Sequence, residues 1–464
     1  MPKSWATFGF DLHLDRTGIR VRAGLEDALR DAVQAGRLAP GSRLPSSRTL
    51  AVDLEIARNT VADAYGQLVA EGWLTAQPGS GTRVAERFAG SVAAAVRVES
   101  TVRRVRYDLR PGSPDLAAFP RSAWLSAGRR ALDSASYDVL GYGDPRGTEQ
   151  LRVALAAYLA RARGVRVTPE RIVVCSGFTQ GLGLLCQVLA ARGATSLAVE
   201  SCGHESHRQL VTAAGLGLRS LSVDSDGADV SALGRDDAVL LTPAHQWPLG
   251  VALASGRRTR AVQWAAESGG VIIEDDYDGE FRYDRKAIGA MQALAPEHVV
   301  YAGSTSKSLA PGLRLGWLVL PAALLDDVVS AKTMADRQTG VFEQLTLAEF
   351  ISTSSYDRHL RSSRLAYRRR RDQLLAALSR QAPQVRVTGI SAGLHALLEL
   401  PAGWDENDIV GRAAARGLAL EGLAPYYADR GRHGAGLVVG YATPPQHAFT
   451  GAVSRLCATL KEAA

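Results

Sequence analysis

The chain has 464 residues, too many for one ordinary hydrophobic core and suited to a small domain joined to a large one. A hydrophobic fraction of 46% with 22% charged residues excludes a wholly disordered chain, and no run reaches the roughly 18 apolar residues of a membrane helix. The net charge of +7 permits polyanion partners, but residues 1–88 hold eleven basic against ten acidic side chains, so DNA contact there must rest on placement.

The first residues, "MPKSWATFGFDLHLD", lack the basic and apolar regions of a signal peptide, so a cytoplasmic protein is expected. Cys175, Cys186, Cys202 and Cys457 form no C-x-x-C pair and imply neither a disulfide framework nor a zinc site, and no metal is expected.

Leu25, Ala28, Leu29 and Val33 stand at helical spacing and Gly36 follows as a stop. "PSSRTLAVDL" offers Ser46 or Ser47 as an N-cap for a second helix with Leu50, Ala51 and Leu54 on one face. After the turn "EIAR", "NTVADAYGQLVAEG" carries a capping-box pattern, Thr60 with Asp63, and a stripe of Val61, Ala64, Tyr65 and Leu68 closed by Gly72. "WLTAQ" and "TRVAE" around "PGSG" then read as a two-stranded wing. Three helices with a tight turn before the third make a helix-turn-helix.

The polar groups fall where DNA can meet them. Arg43, Ser46 and Arg48 lie at the start of the second helix; Arg58, Asn59 and Thr60 open the third; Gly79, Gly81, Thr82 and Arg83 belong to the wing. Arginines and free backbone N–H groups at such places hold phosphates, while the start of a recognition helix reaches base edges. "GSRLPSSRTLA", "ARNTVADAY" and "EGWLTAQPGSGTRV" closely resemble the winged helix-turn-helix of the GntR family, across residues 17–86.

Phe88 to Arg106 has small residues, scattered charge and no helical stripe, and reads as a linker spanning about 23 Å as flexible coil, enough to set the head beside its own or a partner's large domain. From Tyr107 onward apolar strands alternate with helices. "RIVVCSG", "TSLAVES", "AVLLTP", "GVIIEDD", "HVVYAGS" and "LGWLVLP" are strand candidates, with amphipathic segments such as "QGLGLLCQVLAARG" between them. This rhythm predicts an α/β domain around a mostly parallel sheet.

Within it, "GSTSKSLAPGLRLGW" sets Ser304 and Ser306 beside Lys307, with Arg314 seven positions on. Hydroxyls and a guanidinium suit a phosphate, and an adjacent amine condenses with an aldehyde; one small molecule with both groups is pyridoxal 5′-phosphate. "VVCSGFTQGL" runs a strand through Ser176 and Gly177 into a helix, presenting Phe178 and Thr179 to the same phosphate. "VIIEDDYDGEF" ends a strand in carboxylates, with Tyr277 two beyond Asp275; a carboxylate keeps a pyridine nitrogen protonated and a phenol binds the 3′-oxygen.

The order of these pieces resembles the fold-type I aminotransferases, with "YGDPRGTEQLRVALAAYLARARGV" and "TPAHQWPLG" as further matches across residues 107–464. A GntR-like head on such a body is similar to the MocR/GabR regulators. The resemblance implies residues 1–87 as winged helix-turn-helix, 88–106 as linker and 107–464 as an aminotransferase-like α/β domain. It implies Lys307 as the Schiff-base lysine, Asp275 and Tyr277 on the ring, and Phe178, Thr179, Ser304, Ser306 and Arg314 around the phosphate. His204 takes the place of the stacking tyrosine, either stacking itself, with a charge that follows pH, or standing in a surface loop. Trp247 replaces a cofactor-contacting asparagine, and Val438 replaces the arginine that clamps a substrate carboxylate, for which Arg430 or Arg432 are the nearest substitutes.

The expected function is a homodimeric, DNA-binding transcriptional regulator that senses pyridoxal phosphate or an amino compound. A working aminotransferase with an accessory head is the alternative, and a scaffold without cofactor is a third reading.

Overall fold

The computed structural model describes residues 21–77, 81–86, 105–283, 288–429 and 433–463, so Gly79, almost all of the expected linker, Arg430 and Arg432 lie outside the described residues. The chain divides into two units, Met1–Val102 and Arg103–Ala464.

In the first unit three helices, Val21–Gln34, Ser47–Leu54 and Arg58–Ala70, precede an antiparallel pair, Leu74–Gln77 with Gly81–Val84. The apolar stripes close on one another: Leu25, Leu29 and Ala32 meet Leu50, Ala51 and Leu54 and the face of Val61, Ala64, Tyr65 and Leu68. Ser46 is the N-cap of the second helix, its hydroxyl accepting the Thr49 N–H at 3.1 Å. The expected capping box at Thr60 does not form. Glu55, in the left-handed region at φ 55°, reverses the chain early enough that the third helix starts at Arg58, with Ala57 at the cap and Thr60 already inside the first turn. Arg30 forks onto Glu71 at 2.9 and 3.0 Å and ties the first helix to the end of the third. The stretch before the second helix lies along the wing, the Leu44 N–H donating to the Thr82 carbonyl at 2.8 Å and the Val84 N–H to Ser42 at 3.0 Å.

In the second unit a seven-stranded sheet runs Ile172–Cys175, Gly316–Val319, Val299–Ser304, Val271–Asp275, Ala238–Leu241, Ser196–Glu200, Gly217–Leu221 from edge to edge. Only Gly316–Val319 is antiparallel to its neighbours. Six of these strands are the apolar runs read from the sequence. The seventh, "GLRSL", is half exposed at the sheet edge, so it has no continuous apolar run to betray it. A small antiparallel sheet, Arg386–Thr388, His395–Glu399 and Gly436–Gly440, follows the 27-residue helix Ser355–Gln381.

Among the described residues of this unit, two arginines are paired with carboxylates deep in the interior. Arg370 reaches Asp115 at 2.6 Å and the carbonyls of Ala442 and Pro444 at 3.0 and 2.8 Å. Arg163, the last residue of helix Glu149–Arg163, forks onto Asp276 at 2.6 and 2.9 Å and also donates to the Gly279 carbonyl. Both partners are at most 5% exposed, so truncating one strands a charge in the interior. Arg163→Ala is expected to cost about 3–5 kcal/mol. Thermal unfolding should show a lower midpoint for Arg163→Ala than for the double variant Arg163→Ala, Asp276→Asn, in which no full charge is left without its partner.

Candidate functional site

The C-terminal ends of the parallel strands open into a cavity of about 280 Å³, and every side chain expected from the sequence to hold a cofactor lines it: Phe178, Thr179, His204, Asp275, Tyr277, Ser304, Ser306, Lys307 and Arg314. Strand register explains the convergence. Asp275 ends its strand opposite Ala302 of the next, and Lys307 follows that strand by three residues.

One side of the cavity gathers hydrogen-bond donors. Gly177, at φ 88°, starts helix Phe178–Ala191 and leaves its first N–H groups free; a Cβ there would lie 3.1 Å from the Arg314 guanidinium, so the missing side chain is the space that the guanidinium occupies. Arg314 donates to the Ser176 carbonyl and has no carboxylate partner among the described residues. The Thr179, Ser304 and Ser306 side chains complete the donor set.

The other side holds the amine and the carboxyls. Lys307 Nζ donates to the Gly112 carbonyl at 2.5 Å. Burial pushes its pKa down against the opposing pull of Asp275 and Asp278, which favours the free amine. Burial pushes the Asp275 carboxyl well up, with Lys307 drawing it back. Tyr277 is likewise held well above an ordinary phenol by burial, with Asp278 and Asp275 adding to it, so it stays a hydrogen-bond donor.

His204 is half-buried and its ring lies flat on Trp247, 4.8 Å between centroids at 16°. Its ring is stacked rather than free in a surface loop, and burial, with Lys307 and Arg208 adding to it, pushes its pKa down to about 4, which favours the neutral ring. Val438 is fully buried in an apolar cluster with Cys202, Trp247, Leu397, Leu423 and Tyr426. Among the described residues no guanidinium replaces it there: of the two described arginines lining the cavity, Arg208 is committed to Glu205 and to the carbonyls of Gly203 and Tyr426.

Sequence reasoning missed Glu200, His207, Arg208, Thr242 and the Gly112 carbonyl. Glu200 was findable, because it ends an apolar strand in a carboxylate just as Asp275 does. It accepts from Thr242 Oγ1 at 2.5 Å, and burial raises its carboxyl to about 7. Gly112 gave no signal, since its contact with Lys307 spans 195 residues.

In the first unit Arg43, Ser46, Arg48, Arg58 and Asn59 are exposed and Thr60 and Thr82 half-buried, at the ends of the second and third helices and on the wing. Gly81 sits at φ 90° beneath the Arg43 side chain, and Arg83 donates to the Gly41 carbonyl at 2.9 Å, so the wing and the approach to the second helix carry their arginines together.

Residues 22–84 match the bacterial regulatory proteins of the gntR family, and residues 112–412 match aminotransferase class I and II. PdxR of Corynebacterium glutamicum, named an HTH-type pyridoxine biosynthesis transcriptional regulator, is 32% identical over 425 residues, 90% of this chain and 91% of that one. MocR of Rhizobium meliloti, named a probable rhizopine catabolism regulatory protein, is 31% identical over 427 residues, 87% of this chain and 86% of its own. Among solved structures, an archaeal alanine:glyoxylate aminotransferase superposes with a TM-score of 0.71 at 25% identity, covering 77% of this chain and 91% of that one. LysN, the alpha-aminoadipate aminotransferase of Thermus thermophilus, gives 0.69 at 27% identity, with 78% and 95% covered. With a gntR-type head, a class I and II aminotransferase body and named transcriptional regulators matching both along most of its length, the chain belongs to the MocR family of transcriptional regulators.

Proposed function

We propose that the large unit holds pyridoxal 5′-phosphate on Lys307, and that the occupancy of this pocket, rather than turnover of an amino acid, sets how the head binds promoter DNA. The observation that carries the reading is a contrast within one cavity. The groups suited to phosphate, aldehyde and ring are all present, while the position of the substrate clamp is the buried, apolar Val438. The described residues offer no fork for a second carboxylate, and an amino-acid substrate without one has little to orient it. The name of the Corynebacterium relative supports vitamin B6 supply as the regulated process.

The donor set fits this group. Bound pyridoxal phosphate supplies an aldehyde and, once its ring nitrogen is protonated, an electron-withdrawing ring. Lys307, biased to the free amine, is the nucleophile for the aldehyde. Asp275 would meet the ring nitrogen and favour its protonated form, Tyr277 would donate to the 3′-oxygen, and His204, backed by Trp247, would wall the ring. The helix start at Phe178 and Thr179, with Ser304, Ser306 and Arg314, holds the phosphate. In the head, Arg43, Arg48, Arg58 and Arg83 meet backbone phosphates, and Asn59 and Thr60 at the start of the third helix reach base edges. Two copies of the chain present two such heads to a two-fold operator.

Lys307→Ala should fold as the parent does, yet lose both the visible absorption band given with pyridoxal phosphate and the adduct fixed by borohydride; an alanine variant that keeps a reducible adduct removes Lys307 from this role. Gly112→Val places a side chain at φ 95°, about 3.7 Å from Lys307 Nζ, and should weaken pyridoxal phosphate binding at least about tenfold in a fluorescence titration.

Arg58→Ala should weaken promoter binding of the full-length chain and reduce the slope of log K against log salt by about one. Footprinting on the promoter, with and without pyridoxal phosphate and then with added amines, tests the signal itself. Different footprints for the cofactor-free and loaded protein support occupancy sensing. The same footprint in both, changed only by an amine, makes the amine the effector, and a keto-acid product from amino-acid substrates makes the body an enzyme.

A further inference from the structure

Behind Tyr277 lies a buried pair that the cofactor contacts do not use. His245 is 3% exposed and Asp278 2%; the Nδ1 atom of His245 lies 2.8 Å from Oδ2 of Asp278 and 3.1 Å from the Tyr277 hydroxyl oxygen. One ring nitrogen therefore serves two partners. We propose that His245 and Asp278 are positioning residues that hold the hydrogen of the Tyr277 hydroxyl aimed into the cavity, a role that rests on the reading of the cavity as a pyridoxal phosphate site.

The argument is one of hydrogen-bond polarity. A carboxylate has lone pairs only, so the hydrogen between Asp278 and His245 sits on Nδ1. A nitrogen that carries a hydrogen has no lone pair with which to accept from Tyr277. The tyrosine oxygen takes the minor share of that same N–H, and its own hydrogen must point elsewhere. Among the described residues the hydroxyl has no other hydrogen-bond partner, and Tyr277 lines the cavity. The hydrogen is thereby left to point into the cavity, where an anionic oxygen of a bound ligand would accept it.

The surroundings lock this arrangement. Gly393, at φ 76°, closes over the pair so tightly that a Cβ there would come within 2.6 Å of Asp278 Oδ2 and 2.5 Å of His245 Nδ1. His395 packs 5.1 Å from the His245 ring, donates Nε2–H to the Pro248 carbonyl at 3.0 Å and leaves its own buried Nδ1 without a partner among the described residues. His245, Asp278 and His395 bring ligand-type atoms within 4.8 Å of one another, but with Nδ1 of His245 already holding two partners the cluster is a hydrogen-bonded relay rather than an open cation site.

A donor fixed on the cofactor's phenolic oxygen favours its anionic form, so losing the donor raises the pH midpoint of the bound cofactor's visible band. Without the His245 N–H, the Tyr277 hydroxyl has the Asp278 carboxylate as a competing acceptor. The full-length protein loaded with pyridoxal phosphate is therefore titrated as the parent, His245→Phe, Tyr277→Phe and the double variant, with circular dichroism to establish folding. His245→Phe and Tyr277→Phe should each raise the midpoint by on the order of one unit, a tenfold change in proton affinity. The double variant should match Tyr277→Phe alone, and His245→Asn, whose amide N–H stands near the place of Nδ1–H, should return towards the parent. A midpoint unmoved by His245→Phe, or a shift that adds in full to that of Tyr277→Phe, overturns the proposal. The ring-nitrogen NMR spectrum of the cofactor-free, histidine-labelled protein decides it independently: His245 should be the Nδ1–H tautomer, and the Nε2–H tautomer overturns the relay. A parent protein that gives no visible band with pyridoxal phosphate sinks the cofactor reading alone, since the tautomer still decides the relay.

Discussion

The bond between Arg163 and Asp276 sets the geometry on which the pocket depends. Its two short contacts, joined by the Tyr301 hydroxyl donating to the same carboxylate at 2.8 Å, pin Asp276 into the interior beside the strand end. Neighbouring side chains on a strand leave on opposite faces, so fixing Asp276 inward delivers Asp275 to the cavity, and the turn that follows delivers Tyr277 there and Asp278 to His245. Arg370 plays the matching part across the site. By holding Asp115 it steadies the segment whose Gly112 carbonyl takes the Lys307 amine. Two buried arginine–carboxylate pairs thus hold the two sides of the space in which Lys307 sits, and an arginine suits both because its planar five-donor head satisfies a carboxylate and a backbone carbonyl at once.

Guanidinium groups serve the two units under opposite physical regimes. On the head they are exposed, so their attraction to phosphate is long-ranged, screened by salt and tolerant of position. Inside the body they are desolvated and stereospecific, and their task is to place other groups. Arg314 stands between these regimes, exposed yet packed against the bare backbone of Gly177.

Much of this was legible in the sequence because short-range pattern and chemistry agree. Apolar runs marked six of seven strands, helical stripes marked the head, and each residue expected to hold the cofactor lines a single cavity. The failures have a common cause. Thr60 looked like a cap because local spacing cannot see the left-handed turn at Glu55 that starts the helix two residues before it. The downward push on the His204 pKa is equally invisible in the sequence, since composition does not report burial beside Lys307 and Arg208. Gly112, His245 and Arg163 carry no local mark; their meaning lies in contacts across 195, 33 and 113 residues. Sequence reads what a segment is made of, and those positions matter for what the fold brings to them.

Arg314 has a backbone φ of 51°, in the left-handed region that a residue with a side chain enters only at a cost. Glycine would relieve that strain at the same position, but it would carry no guanidinium to lay against Gly177. Stability and ligand recognition therefore pull in opposite directions at this one residue, and a search for thermostable variants guided by folding alone would be drawn to the substitution that dismantles the anion cup.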